Sequence, residues 1–508
     1  MTNSSDRACT NLDNTPDSVA ADTDNAALLK FLNSLEVEIA NERQRPFTQL
    51  KNYFIFKLLT VLSQFSPPVP PRMAARFARS ASKKDPSRTL DSHDIPDVLA
   101  TSSGVVVQEI FGGQQRDPQK KNILVVSHES SMTGAPILAL NLVQNYSERY
   151  NVTVLSLRGG DVLESFRLSS VAVYVGDKVG QYGLGRLIAG ICRKDSFAFA
   201  VVNSAESRGV LRHLRAEGVR SVTLIHEFAS YLRKKHWRKA PFEEVFDGSS
   251  EVIFSTQLTL DAAKDKNPRV DMSRAQVLAQ GKCYAPKRCV SVSKSEAETS
   301  RLKQALRPNS ADEKRVVVLG AGTVEFRKGV DLFIEMATRV LKMTGGEHAY
   351  FFWIGAKYRP ELNAEYSGYL YDQLMRAGVN ERVTILSETT EIELAYSLAD
   401  IFVLASRLDP LPNVTIDAMS VGLPVICFEL ASGISNLLVD AGLQDLCVAA
   451  YLDTHEMADK VLALATNPTL RSKVSAVSRD YAATAFNFDS YARKIEALGL
   501  RDVTFLAD

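Results

Sequence analysis

The sequence predicts an α/β protein with two Rossmann-like, doubly wound domains facing a cleft, preceded by a helical and disordered N-terminal extension. Three observations carry this reading. Buried-strand runs alternate with helical patterns from Asn122 to Ile225, the alternation restarts at Arg315, and the second series ends in the stretch Ile401–Phe428. Strands that read as unbroken apolar runs, each followed by a helix, belong to parallel sheets covered on both faces.

Length and composition set the frame. The chain has 508 residues, 45% of them hydrophobic and 23% charged, which suits a globular protein of several domains. With 60 basic and 59 acidic residues, nothing in the bulk charge argues for nucleic acid. Six cysteines (Cys9, Cys192, Cys283, Cys289, Cys427, Cys447) show neither CxxC nor Cys/His metal spacing and read as reduced thiols. The N-terminus lacks a basic segment followed by an apolar core, and no run reaches the ~18 apolar residues that span a bilayer. The expectation is a cytoplasmic protein, with peripheral contact at the inner membrane face if its N-terminal extension docks there.

Residues 1–26 are polar, acidic and turn-rich, and read as disordered. Residues 27–118 read as a helical extension and basic linker: helical periodicity from Ala27 to Glu42, a second helix from Phe47 to Phe65, then SPPVPP and RMAARFARSASKKDPSR. Two uses stay open for residues 47–88, a basic amphipathic element on anionic lipid or a helical hairpin packed on the body. Residues 119–290 form the first αβ series, with strands at NILVVS, Val152–Leu155, Val171–Val175, Phe197–Val202 and Ser221–Ile225. Residues 291–485 form the second, with strands at Val316–Leu319, Tyr350–Ile354, Arg382–Ile385 and Ile401–Ala405, and 486–508 end in a helix.

The chemistry gathers at the carboxyl ends of these strands, where open α/β sheets bind ligands. Gly320-Ala321-Gly322-Thr323 follows the strand VVVL and lets backbone approach a ligand; Arg327 and Lys328 then stand where the next helix begins, suited to a diphosphate. In Ile401–Phe428 a strand, a polar loop and a short helix follow one another, with Asn413 as N-cap, Gly422 as the left-handed C-terminal residue and Pro424 preventing continuation. Asp409 and Asp417 lie in that loop and just inside that helix. No neighbour in sequence gives one of them the raised pKa of a glycosidase acid, and no further carboxylates supply a metal site. They fit acceptors for vicinal hydroxyls, and Asp417 equally fits helix-dipole compensation. His128, and His226 with Glu227, end strands of the first series, and the loop Ser131–Pro136, with Thr133 and Gly134, opens its first helix.

Together GAGTVEFRKGVDLFIEMA, SRLDPLPNVTIDAMSVGLPVICF, TTEIELAYSLADIFVLAS, SHESSMTGAPILALNLV and LIHEF resemble segments of the GT-B glycosyltransferases. The similarity covers roughly residues 120–500, and is to the retaining family 4, whose members use nucleotide sugars to build polysaccharides, O-antigens or capsules. The resemblance implies a hexosyltransferase taking a UDP- or GDP-sugar donor and a glycan acceptor, lipid-linked in some members, with no cofactor and no metal. It implies catalytic roles for Lys328, Asp409 and His226. Donor binding would fall to Gly322, Thr323, Arg327, Lys328, Asp409, Leu411, Asn413, Val414 and Asp417, and the acceptor side to His128, Thr133 and Gly134. The last helix would cross back to the first domain. Both glutamates of the family's E-x7-E segment are aspartates here, and Thr323 stands where the family usually has arginine. A 2-epimerase acting on a sugar nucleotide, or a glycan-assembly scaffold with a decayed donor site, are the competing functions.

Overall fold

The computed structural model describes residues 99–100, 106–176, 179, 181–230, 241–286, 292–308, 314–362 and 365–501. The expectations for residues 1–98, including the membrane element at 47–88, lie outside the described residues.

The first sheet contains, among the described residues, β1 (Leu99–Ala100), β2 (Val106–Phe111), β3 (Asn122–Ser127), β4 (Asn151–Ser156), β5 (Ala172–Val175), β6 (Phe197–Asn203), β7 (Ser221–Ile225), β8 (Glu251–Phe254) and β9 (Ala275–Val277). Their spatial order is β1-β2-β5-β4-β3-β6-β7-β8-β9. From β5 to β9 every pairing is parallel. β2 joins antiparallel to β5, so part of the segment read as helical extension and linker is a strand. Its sequence, VVQEIF, is β-branched and apolar enough for a strand paired between β1 and β5, and Tyr174 Oη donates to the buried Glu109 carboxylate at 2.9 Å.

The second sheet runs β12-β11-β10-β13-β14-β15, all parallel, from β10 (Val316–Ala321), β11 (Ala349–Ile354), β12 (Val383–Leu386), β13 (Ile401–Leu404), β14 (Val425–Phe428) and β15 (Val448–Ala449). The fold class read from the sequence is the one observed. The strand residues of β10 and β13 are buried throughout, as strands covered on both faces must be.

In each sheet the order reverses between two adjacent strands, β3/β6 and β10/β13. Loops leaving the carboxyl ends of such a pair diverge to opposite faces and open a crevice. Those loops are 128–133 and 204–210 in the first sheet, and 322–329 and 405–412 in the second. The helix Phe488–Gly499 packs on the first sheet although it follows the second: Tyr491, Ala492, Ile495 and Leu498 belong to the first domain's core, and Tyr146 Oη donates to Ala492 O at 2.9 Å.

Candidate functional site

On the second sheet the site is built around a turn that only glycine permits. Gly329 has φ 70°, and a Cβ there would lie 1.9 Å from the carbonyl oxygen of Ala405. The short 3-10 turn Phe326–Lys328 is thereby pressed against the end of β13. This brings Lys328 Nζ to 2.5 Å from Asp409 Oδ2, and Arg327 Nη1 to 3.3 Å from Asp409 Oδ1. Arg327 also donates to Leu408 O at 2.9 Å, and Ser406 Oγ to Asp409 Oδ2 at 3.3 Å. Burial pushes the Asp409 carboxyl up, but the Lys328 and Arg327 charges and their hydrogen bonds outweigh it and hold the group below its ordinary value. The expected cations and the expected hydroxyl acceptor are thus one ion cluster. Asp409, only 6% exposed, is the cations' counter-ion as well as a side chain at the crevice. Gly322, with φ 141°, and the half-buried Thr323 lie on the same turn, and the Lys328 stem runs 3.5 Å from the Cβ position of Gly322.

A third cation escaped the sequence reading. Arg407 grips Asp331 with two bonds of 2.9 and 2.7 Å, donates to Phe326 O, and stacks 3.9 Å over the Phe326 ring. Only the folded turn shows that it braces the 326–328 segment through Phe326 and Asp331.

The helix Asn413–Ser420 differs from expectation at its start. Pro412 holds the N-cap position and Asn413 is the first helical residue, with no side chain capping the helix. Asn413 Oδ1 instead accepts from Gln280 Nε2. Proline's fixed φ suits the extended N-cap, which frees the asparagine side chain for that contact. Leu411 is buried, and Val414 is half-buried in the first turn. At the other end Gly422, φ 86°, closes a Schellman pair, Gly422 N to Met419 O and Leu423 N to Ala418 O, both 2.9 Å.

Asp417 is the fifth helical residue, beyond the first turn, so dipole compensation does not account for it. Burial pushes its carboxyl up to about 7; Lys282 pulls the other way and Glu393 adds to the rise. The sequence offered no reason for a raised pKa here, because the desolvating neighbours come from other segments.

On the first sheet, His226 follows β7 and donates from Nε2 to Asn203 Oδ1 at 2.8 Å, while Asn203 Nδ2 donates to Ala135 O at 2.7 Å. The asparagine amide, oriented by that second bond, fixes the tautomer, with the proton on Nε2. Burial, and then the neighbouring His128, push His226 down to about 4, so it is a neutral ring. Glu227 accepts from the Ser204 hydroxyl and from the His226 and Ala205 backbone, which pins Ser204 at the strained φ of 80°. His128 lies 3.7 Å from Glu129, and Thr133 precedes the helix Gly134–Ser147 with its hydroxyl 2.9 Å from Ser131 Oγ. A Cβ on Gly134 would stand 3.6 Å from Asn413 Nδ2. The first-sheet loop with Thr133 and Gly134 therefore faces the start of the helix Asn413–Ser420, and the Asn203 amide ties His226 to the residue after Gly134. Asn203, Ser204 and Gln280 were missed; VNS after a strand was the only available sign of the first two.

Residues 313–467 match the family model of glycosyl transferases group 1. This is the second sheet with its helices, including the Gly322–Lys328 turn and both aspartates. Among curated relatives, the chain is 29% identical over 184 residues to the alpha-D-kanosaminyltransferase of Streptomyces kanamyceticus, covering 35% of this chain and 44% of that one. It is 26% identical over 175 residues to the alpha-galactosylglucosyldiacylglycerol synthase of Streptococcus pneumoniae, covering 33% and 42%. The chain thus spans less than half the length of these two relatives. The solved structure of Anabaena HepE in complex with UDP superimposes with a TM-score of 0.58 at 16% identity, over 74% of this chain and 98% of that one. The fold is that of the GT-B glycosyltransferases.

Proposed function

We propose that the protein is a retaining glycosyltransferase of family 4 that moves a hexose from a UDP- or GDP-sugar to a growing glycan, lipid-linked or free. The observation that carries this reading is the Lys328–Asp409–Arg327 cluster at the β10/β13 crevice, with the loop of Thr133 and Gly134 approaching the adjoining helix start at Asn413. Loss of the nucleoside diphosphate is the hard step, and its developing negative charge would be met by Lys328, Arg327 and the uncapped start of the helix Asn413–Ser420. Asp409 orients Lys328 and uses its remaining lone pairs for a sugar hydroxyl, since an ionised carboxylate accepts up to about four hydrogen bonds. Asp417, ionised when a ribose diol donates to it, would hold the nucleoside. Neutral His226, with Nδ1 as acceptor, would orient a hydroxyl of the transferred sugar or of the acceptor held beside His128.

With no side-chain nucleophile in the cluster, attack comes on the face the diphosphate leaves. The anomeric carbon–oxygen bond to phosphate breaks, the acceptor oxygen bonds that carbon, and the departing phosphate takes the acceptor proton. The relatives named for attaching kanosamine and for making a glycolipid support transfer chemistry of this type. A donor screen reading nucleotide release tests the proposal: release with a UDP- or GDP-sugar and a glycan acceptor, lost in Lys328→Ala, is expected. Interconversion of the sugar without acceptor, seen by NMR, would instead identify an epimerase.

A further inference from the structure

The amino-terminal edge of the first sheet, remote in topology from the crevice loops, carries a second charged cavity. Arg220, Ser250 and Arg274 immediately precede β7, β8 and β9, so all three mark the edge opposite the one from which the crevice loops leave. With Arg215, Asp247 and Arg501 they line a cavity of about 780 Å³.

Part of this arginine cluster is structural. Arg215 Nη1 donates to Asp247 O at 2.5 Å and Arg274 Nη2 to Phe246 O, which satisfies two carbonyls in the last turn of the helix Pro241–Gly248, and Arg274 Nη1 donates to Ser249 O, just past its end, at 2.6 Å. That role uses two of the four guanidinium groups. The other two do little for the fold. Arg220 reaches Leu498 O at 3.4 Å, and Arg220 and Arg501 share one carboxylate oxygen of Glu251, each at 3.7 Å, beyond hydrogen-bond distance. Among the described residues, four guanidinium charges therefore face two carboxylates, Asp247 and Glu251, a surplus of two positive charges in a concave site. Guanidinium forks converging in a concavity match the geometry of phosphate oxygens, and low-dielectric walls concentrate their field.

We propose that this cavity binds a phosphate-bearing ligand of about two negative charges, a diphosphate or a phosphomonoester, at a site separate from the donor crevice. Arg501 and Arg220 supply the contacts to phosphate, and Arg215 and Arg274 hold the cavity wall.

Calorimetry of the full chain carrying Lys328→Ala, which removes a cation of the proposed crevice site, tests this with two probes: inorganic pyrophosphate, and vesicles of phosphatidylcholine containing phosphatidic acid, a lipid phosphomonoester, against vesicles of phosphatidylcholine alone. Arg501 is more than half exposed, so Arg501→Glu should stay folded, which its melting temperature checks. The expected result is saturable binding of one probe, weakened about tenfold or more by Arg501→Glu, which removes a charge-assisted hydrogen bond and sets a carboxylate against the anion. Pyrophosphate binding assigns a soluble ligand, and binding only of phosphatidic acid vesicles assigns a lipid headgroup. Binding of neither probe, or binding indifferent to Arg501→Glu, overturns the proposal.

Discussion

Lys328 and Asp409, 81 positions apart in sequence, meet at 2.5 Å where the turn after β10 crosses the loop after β13. Both side chains are largely buried, so removing either leaves a charge with too few partners. Breaking a buried pair from one side costs ~3–5 kcal/mol, more than removing both. Lys328→Ala and Asp409→Ala should each lower the unfolding midpoint, with the double variant more stable than the sum of the two losses predicts. Turnover should separate from stability. Lys328→Ala is expected to lose ~10²-fold or more in kcat with folded protein still present. Near-normal turnover in that variant would remove Lys328 from the mechanism.

Gly329→Ala tests how the pair is assembled. The substitution meets a positive φ and a carbonyl oxygen at 1.9 Å, so the turn must move away from Ala405. We expect a loss of at least ~2 kcal/mol in stability, together with loss of nucleotide affinity, since moving the turn carries Lys328 off Asp409. Gly378→Ala is the control: it also has φ 68° but nothing within 4 Å of its Cβ position, so it should cost stability through φ alone and leave nucleotide affinity intact. Equal nucleotide affinity in the two variants would refute this account of the turn.

These relationships separate what the sequence could reveal from what it could not. The strands read from the sequence, the Gly322–Gly329 turn and the Gly422 stop are local patterns, and their boundaries fall within one or two residues of those observed, whereas β8, β9 and β15 went unread. β2 escaped because an antiparallel strand outside the αβ alternation has no periodic context. Asn413 suits an N-cap by residue type, although Pro412 before it already supplies the extended conformation. The Lys328–Asp409 and His226–Asn203 contacts depend on which strands are neighbours, and β10 lies beside β13 only because the sheet order reverses there. A raised carboxyl pKa was invisible for the same reason, since burial is decided by segments distant in sequence.

His226 should remain neutral throughout the physiological range. Its folded value, about 4, lies below the ordinary 6.5 of an exposed imidazole, so between those values the unfolded chain binds more protons. Stability is therefore lost as pH falls from 6.5 toward 4. His226→Gln, which keeps a donor for Asn203, should flatten that acid loss in urea-denaturation series at pH 4.5, 5.5 and 7. If the acid loss keeps its slope in the variant, the ring is not held neutral by the fold.

Asp417 has the opposite sign. Its folded value, about 7, lies above the ordinary 3.8, so between these the folded chain binds more protons than the unfolded. Stability contributed by the neutral carboxyl is present at pH 4 and lost as pH rises toward 7. Asp417→Asn should therefore be more stable than the parent at pH 8, with the difference closing at pH 4. Ligand binding runs against this trend. A ribose diol donates two hydrogen bonds to the ionised form, so binding favours deprotonation and UDP affinity of the parent should climb as pH passes from 6 to 8. In Asp417→Asn the affinity should be weaker by about tenfold and flat with pH. Calorimetric titration of UDP into both proteins at pH 6, 7 and 8 separates the cases, because a side chain that serves only the helix would give parallel pH profiles in the two.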